Sequence, residues 1–180
     1  MRQLDYKADI AFFGNSITYY GNFQQAYVDK NVVNLGYPGD NIDGMLWRIE
    51  TLKAVNPDKV FLMAGINGLK NMEMETFNRK YNQLVDSVRK ALPHAKIYLQ
   101  SILPVSKNKE KDYGSNTKIA EANEFIKQVA QEKHCTYIDL HSLYVSNGMM
   151  PDSLTQDGIH LCDRAYDRWY KHEERYIYDN

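Results

Sequence analysis

A serine that could act as a nucleophile follows the first apolar run of the chain. The stretch 12–18 reads FFGNSIT, which puts Ser16 in a Gly-Asn turn between a strand-like run and a helical pattern. A serine hydroxyl at such a turn attacks a carbonyl carbon when a neighbouring base takes its proton. The alternative is that Ser16 only caps the helix, because serine and asparagine side chains satisfy free N–H groups at helix starts.

A carboxylate and an imidazole stand three residues apart near the end of the chain, in the stretch QDGIHL. This spacing across a helix start predicts that Asp157 and His160 lie on one face. The carboxylate then orients the ring while the second ring nitrogen acts as a base. His141, which closely follows Asp139, is the rival base. The alternative for His160 is a surface histidine beside a common Asp-Gly turn.

Two further loops offer hydrogen-bond donors. Gly39 precedes a helical pattern in the stretch NLGYPGD, where a glycine lets the backbone approach a ligand and donate its N–H to an oxyanion. Asp40 is placed to cap that helix. Asn67 follows the third apolar run in the stretch GING, and its amide can donate to a substrate oxygen. Either motif alone is also typical of an ordinary tight turn.

The elements that must position these residues alternate between short apolar runs and amphipathic stretches, which predicts βα units around a parallel sheet. The predicted strands cover 10–13, 32–35, 60–64, 97–103 and 136–140. The predicted helices cover about 18–29, 42–54, 74–92, 116–133 and 161–177. The carboxyl ends of parallel strands meet at one edge of a sheet, where open α/β folds bind ligands. The motifs at the ends of these strands are therefore expected to share one crevice.

Composition narrows the classes of function. The chain has 180 residues, 43% of them apolar, which predicts a single domain over 1–180. Its 22 Lys and Arg nearly balance its 23 Asp and Glu, so no general field attracts nucleic acid or an anionic membrane. No run approaches the ~20 apolar residues that a membrane span needs. Cys135 and Cys162 match no metal or disulfide motif and are predicted to be free.

The beginning of the chain, MRQLDYK, lacks the apolar segment of a secretory signal. A cytoplasmic location is the default expectation. An extracytoplasmic one is expected instead if a signal peptide has been removed.

Taken together, the four motifs closely resemble the SGNH hydrolases, the GDSL-type esterase and lipase superfamily. The matching stretches are 12–18, 34–41, 63–68 and 157–160, in the family's order. The stretch 39–48 is also similar to the branch that includes platelet-activating-factor acetylhydrolases. The resemblance implies an α/β fold, a three-layer α/β/α sandwich of the flavodoxin-like kind, whose five parallel strands are ordered 2-1-3-4-5.

The resemblance also implies a role for each motif. Ser16 is the nucleophile, Asp157 and His160 complete a catalytic triad, and Gly39 and Asn67 form an oxyanion hole with the Ser16 N–H. No metal and no cofactor are needed for this chemistry. The sequence departs from the family at Asn15, where an Asp usually precedes the serine. Asparagine keeps the hydrogen-bonding capacity of that position and loses its charge.

The expected function is that of a serine esterase acting on a small-molecule ester, with acetyl groups on a carbohydrate as the first choice. The alternatives are a lysophospholipase or thioesterase for longer acyl chains, and a non-catalytic carbohydrate-binding module. A metal site formed by Asp139, His141, Asp157 and His160 is a weaker option, since His160 would serve two incompatible purposes.

Three further residues are expected to contact the substrate: Asn15, Asp40 and Tyr113. The irregular stretch 104–115 is either a solvated loop or a flap over the site, because it leaves the carboxyl end of a strand.

Overall fold

The computed structural model describes residues 7–179 and is organised around a five-stranded parallel sheet. The strands are β1 (Ile10–Gly14), β2 (Val32–Gly36), β3 (Lys59–Leu62), β4 (Lys96–Gln100) and β5 (Thr136–Ile138). Their order in the sheet is β2-β1-β3-β4-β5, and every neighbouring pair is parallel. The expected strand order and sheet type are therefore confirmed.

The helices connect the strands and extend beyond the last one. They are α1 (Ser16–Tyr19), α2 (Phe23–Ala26), α3 (Ile42–Trp47), α4 (Ile49–Val55), α5 (Met74–Ala91), α6 (Glu110–Tyr113), α7 (Asn116–Glu132), α8 (His141–Tyr144) and α9 (Asp163–Ile177). None of the described helices is both long enough and apolar enough to cross a bilayer. Cys135 and Cys162 are free thiols, as expected.

An aromatic row across the sheet marks one of its two packed faces. Phe12, Phe61 and Tyr98 are in register on β1, β3 and β4, and their rings stack with centroid separations of 4.8 and 4.5 Å. Phe23 of α2 stacks on Phe12 and contacts Trp169 of α9, so these two helices cover that face. Successive strand residues point to opposite faces, and helices α3, α4, α5 and α7 form the layer on the other side.

The predicted helix over 18–29 is wrong in its bounds and its continuity. The helix starts at Ser16, ends at Tyr19, and is followed by a separate helix from Phe23 to Ala26. The Asn34 amide from β2 donates to the carbonyls of Thr18, Tyr19 and Gly21. This long-range contact holds the chain in a turn between α1 and α2.

The predicted helix over 42–54 is divided in two at Arg48, which belongs to neither α3 nor α4. Asp40 does not cap it. The cap is Asn41, whose side-chain oxygen accepts the N–H of Gly44 at 2.9 Å. The side chain of Asp40 instead forms an ion pair with Arg48, and this competing contact decides which residue caps the helix.

The fourth strand ends at Gln100, not at Leu103 as predicted, although the chain beyond it stays buried. Two asparagines on α7 pair with the backbone of this extended segment. Asn123 bonds to the N–H and the carbonyl of Ile102, and Asn116 does the same for Val105. These side chains replace a neighbouring strand, so the segment satisfies its backbone groups without belonging to the sheet.

A carboxyl group is buried between the sheet and α9. Glu173 is fully buried and accepts a hydrogen bond from the Gln100 amide at the end of β4. Burial raises the pKa of Glu173 from its ordinary value of 4.5 to about 8, and the bond from Gln100 only partly opposes this shift. Glu173 is therefore protonated in the folded protein at neutral pH.

Because the folded pKa of Glu173 lies above the unfolded one, its contribution to stability is complete below pH 4.5 and is lost as the pH rises through about 8. The isosteric variant Glu173→Gln removes this titration. As the pH rises from 5 to 8, the wild type is expected to lose at least about 1 kcal/mol of unfolding free energy relative to the variant. Urea unfolding at several pH values measures it, and a pH-independent difference would contradict the prediction.

Candidate active site

The turn after β1 presents Ser16 as a free hydroxyl. Asn15 caps α1, since its side-chain oxygen accepts the N–H of Ile17 at 2.9 Å. The alternative that Ser16 serves only as the cap is therefore wrong, and the serine side chain is left to make another contact. The turn is almost closed to solvent, with Asn15 only 1% and Ser16 only 9% exposed.

That contact is with His160, 144 residues further along the chain. The Nε2 atom of His160 lies 3.0 Å from the Oγ of Ser16, and the Nδ1 atom lies 2.7 Å from the Oδ2 of Asp157. A ring whose Nδ1 carries the proton bonded to the carboxylate has an unprotonated Nε2 facing the hydroxyl. The three side chains thus have the arrangement of a nucleophile, a base and the group that orients the base.

A tight loop over residues 155–161, and not a helix start, brings Asp157 and His160 together. Helix α9 begins only at Asp163, so the predicted helix-face arrangement is wrong although the predicted pair is present. The Oδ1 of Asp157 accepts the N–H groups of Ile159 and His160 at 3.1 and 2.9 Å. The carboxylate therefore shapes the backbone of the loop with one oxygen and holds the imidazole with the other.

Gly158 is required at the tip of this loop. Its φ of +95° lies in the left-handed region, and a Cβ there would stand 2.2 Å from the Oγ of Ser106. The N–H of Ser106 also donates to the Gly158 carbonyl at 2.8 Å. The stretch 104–115, considered above as a possible flap, thus packs against the loop that carries Asp157.

The same hydrogen bonds set the charge of Asp157. Partial burial acts to raise the pKa of this carboxyl, but the bonds from the backbone and ring of His160 and from the Ile159 N–H outweigh it and lower the pKa to about 2. Asp157 is consequently ionised at any pH near neutrality. An ionised Asp157 favours the His160 tautomer that leaves Nε2 free to accept a proton.

Backbone donors lie at the ends of the first two strands. The N–H groups of Ser16 and Gly39 have no hydrogen-bond partner within residues 7–179. Gly39 has a φ of +78°, and the space where its Cβ would stand is open. Asn67, on the loop after β3, donates its amide to the Asp40 carbonyl at 2.7 Å, which ties its loop to the one carrying Gly39.

Arg48 fixes these loops to one another. Its Nε donates to the Oδ2 of Asp40 at 2.6 Å, and its Nη2 donates to the Gly14 carbonyl at 2.9 Å. The guanidinium also lies over the Phe13 ring, 4.3 Å from its centroid. One side chain thereby connects the end of β1 with the turn that carries Gly39. No local sequence pattern predicts this role, because the contact to Gly14 spans 34 residues.

The three expected substrate contacts have different surroundings. Asn15 is buried in the turn that carries Ser16, and the carboxylate of Asp40 is occupied by Arg48. Tyr113 ends α6, which packs against the turn at Leu69–Asn71, and is partly buried against the core. Of the three, only Asp40 has its charged group occupied by another side chain. Contact of Asn15 and Tyr113 with the substrate stays a prediction.

His141, the rival base, has a different environment. Its backbone N–H donates to the Oγ of Ser101, and its Nε2 is buried without a partner. Burial lowers the pKa of this imidazole. Within residues 7–179 no group of three or more histidines, cysteines or carboxylates is arranged to hold a metal ion. The geometry favours His160 as the base for Ser16.

The sequence and fold together define a class of enzyme. The model of the GDSL-like lipase/acylhydrolase family matches residues 12–168, and the chain belongs to this family. The expected membership among ester-hydrolysing enzymes is therefore confirmed.

The chain is similar to three known proteins. A multidomain esterase from Ruminococcus flavefaciens is 27% identical over 183 residues, and the match covers 94% of this chain but only 23% of that protein. A Streptococcus pneumonia structure described provisionally as a platelet activating factor is 26% identical, with a TM-score of 0.83 over 96% of this chain and 85% of its own. An acetyl-xylooligosaccharide esterase from Geobacillus stearothermophilus shares the fold, with 18% identity and a TM-score of 0.76 over 98% of both chains.

The role of Arg48 can be tested through stability. Arg48→Met should lower the free energy of unfolding by about 3 to 5 kcal/mol, because it leaves a buried carboxylate without its partner. The double variant Arg48→Met/Asp40→Asn should recover part of that loss. Urea unfolding measures both effects in a double-mutant cycle.

The matched control is Lys53→Met, which removes an exposed ion pair with Glu50. Its expected cost is under about 1 kcal/mol, since exposed pairs contribute little. Equal losses in Arg48→Met and Lys53→Met would contradict the role assigned to Arg48.

Proposed function

We propose that this chain is a serine esterase that removes small acyl groups, foremost acetyl, from a carbohydrate through an acyl-enzyme. The observation that carries the proposal is the continuous contact from Asp157 through His160 to the Ser16 hydroxyl. A hydrogen bond with a purely structural role would need neither an ionised carboxylate behind the imidazole nor unpaired backbone donors beside the hydroxyl. This site has both, in Asp157 and in the N–H groups of Ser16 and Gly39.

The reaction begins when the Ser16 Oγ attacks the ester carbonyl carbon and its proton passes to the Nε2 of His160. The imidazolium that forms is stabilised by the ionised Asp157. Collapse of the tetrahedral intermediate breaks the bond to the alcohol oxygen, and His160 returns the proton to that oxygen. Water, deprotonated by His160, then attacks the acyl-enzyme. The bond to Oγ breaks, His160 returns the proton to Ser16, and the carboxylic acid is released.

The developing oxyanion needs donors that are already in place. The N–H groups of Ser16 and Gly39, together with the Asn67 amide, serve this role. Each such donor typically contributes about 10²- to 10³-fold to the rate of the chemical step. The bond from Asn67 to the Asp40 carbonyl uses one amide hydrogen and leaves the second for the substrate.

The preference for acetylated carbohydrate rests on two supports. The similar Geobacillus protein is described as an esterase of acetyl-xylooligosaccharides, and the Ruminococcus relative as a multidomain esterase. In addition, the cavity beside His160 is lined by polar and aromatic groups, among them Gln156, Asp163 and Tyr166. Gln156 and Asp163 can form hydrogen bonds with the hydroxyl groups of an alcohol such as a sugar.

Substitution of the proposed nucleophile and base tests the mechanism. Ser16→Ala and His160→Gln should each lower kcat on 4-nitrophenyl acetate by about 10⁴-fold or more, because triad members act as a unit. The matched control His141→Gln should retain activity. A fluorophosphonate probe should label the wild type and not Ser16→Ala. Activity retained by Ser16→Ala, or lost only in His141→Gln, would refute the assignment.

A series of 4-nitrophenyl esters tests the acyl group. We expect kcat/KM to fall steadily from acetate to octanoate, because a site that fits an acetyl group, as proposed, gives the added methylene groups no surface on which to be buried. The measurement compares wild-type initial rates at subsaturating ester. A maximum at eight carbons or longer would instead support the lysophospholipase or thioesterase alternative. Absence of hydrolysis and of probe labelling, in protein that unfolds cooperatively, would support a binding module.

A further inference from the structure

A groove leads away from His160 between the turn that carries Ser16 and α9. Two adjacent cavities, of about 400 and 500 Å³, share Tyr20, Asp163 and Tyr166, and the first of them includes His160. The second continues past Asn22, Gln25 and Asp167. We call this surface the Tyr20 groove and define it by Tyr20, Asn22, Gln25, Asp163, Tyr166 and Asp167.

The groove presents aromatic and hydrogen-bonding groups together. Tyr20 is 57% exposed although it meets the His160 ring edge to face, with 5.4 Å between centroids. Asp163 and Asp167 are exposed one helical turn apart on α9, and neither forms an ion pair within residues 7–179. The carboxylates are therefore free to accept hydrogen bonds from a ligand.

The position of the groove determines which part of an ester it can hold. His160 must return its proton to the oxygen of the leaving alcohol, so the alcohol lies on the imidazole side of the reacting carbon. The carbonyl oxygen points the other way, toward the donors at Ser16, Gly39 and Asn67. A groove that starts at His160 is consequently reached by the alcohol and not by the acyl group.

We infer that the Tyr20 groove binds the carbohydrate part of the ester, an inference that rests on the proposed function. Tyr20 serves as a stacking platform, and Asp163 and Asp167 accept hydrogen bonds from sugar hydroxyls. An exposed ring beside paired carboxylates suits a neutral polyhydroxyl chain, whose C–H faces pack on aromatic rings while its hydroxyls donate. A phosphate-bearing alcohol would meet two negative charges instead. The groove thus favours an oligosaccharide over a lysophospholipid.

Kinetics on two substrates test this inference. The double variant Tyr20→Leu/Asp167→Asn is compared with the wild type on acetylated xylotetraose and on 4-nitrophenyl acetate, whose small alcohol does not reach along the groove. The ratio of the two kcat/KM values should fall about tenfold, which corresponds to about 1.4 kcal/mol of lost binding. The control Glu174→Gln, an exposed acidic residue later on α9, should leave that ratio unchanged. An unchanged ratio in the double variant would overturn the inference.

Binding without turnover provides a second test. Ser16→Ala protein is titrated with unsubstituted xylotetraose, and amide chemical shifts are followed by NMR. Shifts concentrated at Tyr20, Asp163 and Asp167 support the inference, and no shifts, or shifts confined to other surfaces, overturn it. This result does not depend on hydrolysis. Loss of the proposed function appears separately, as aryl acetate activity that is missing from the wild type or retained by Ser16→Ala.

Discussion

The proposed chemistry depends on one long-range constraint: the loop over residues 155–161 must stay against the end of β1. Only then does His160 reach Ser16. Two hydrogen bonds hold the loop and its helix in place from different sides. Ser106 donates its N–H to the Gly158 carbonyl, and the Tyr166 hydroxyl donates to the carbonyl of Ile17, directly after Ser16. The distance from His160 to Ser16 therefore depends on how α9 and the segment at Ser106 pack around the loop.

Asp40 and Glu173 are both buried acidic residues, and they are stabilised in different ways. Asp40 is paired with Arg48, which recovers part of the desolvation cost and fixes loop geometry at the same time. Glu173 forms no ion pair within residues 7–179 and keeps its proton instead. The Asp40–Arg48 ion pair lies at the turn that carries Gly39, where it fixes the geometry of the loop. Glu173 lies deeper, between β4 and α9, where a neutral carboxyl serves as a packing group.

The sequence predicts those parts of the site whose geometry depends on contacts between residues close together in the chain. The Gly-Asn-Ser turn and the Asp-Gly-Ile-His stretch carry their own geometry, and the order of the motifs pointed to the sheet order through the family resemblance. The break between α1 and α2 depends on Asn34 reaching from β2, and the division at Arg48 depends on Gly14. Such contacts leave no periodic signal, because they join residues whose separation in sequence is arbitrary.

Asn15 shows how a departure from the family pattern can leave the turn intact. The oxygen of its side chain caps α1, which is the bond an aspartate would also make. The two side chains differ in charge, because an aspartate would be negative and the asparagine is neutral. A carboxylate only 1% exposed, one residue before the nucleophile, would stand close to where the oxyanion develops and would oppose it. The amide retains the hydrogen bond that shapes the turn, and its cost is a buried Nδ2 without a partner. The amide therefore keeps the geometry of the turn without a negative charge beside Ser16.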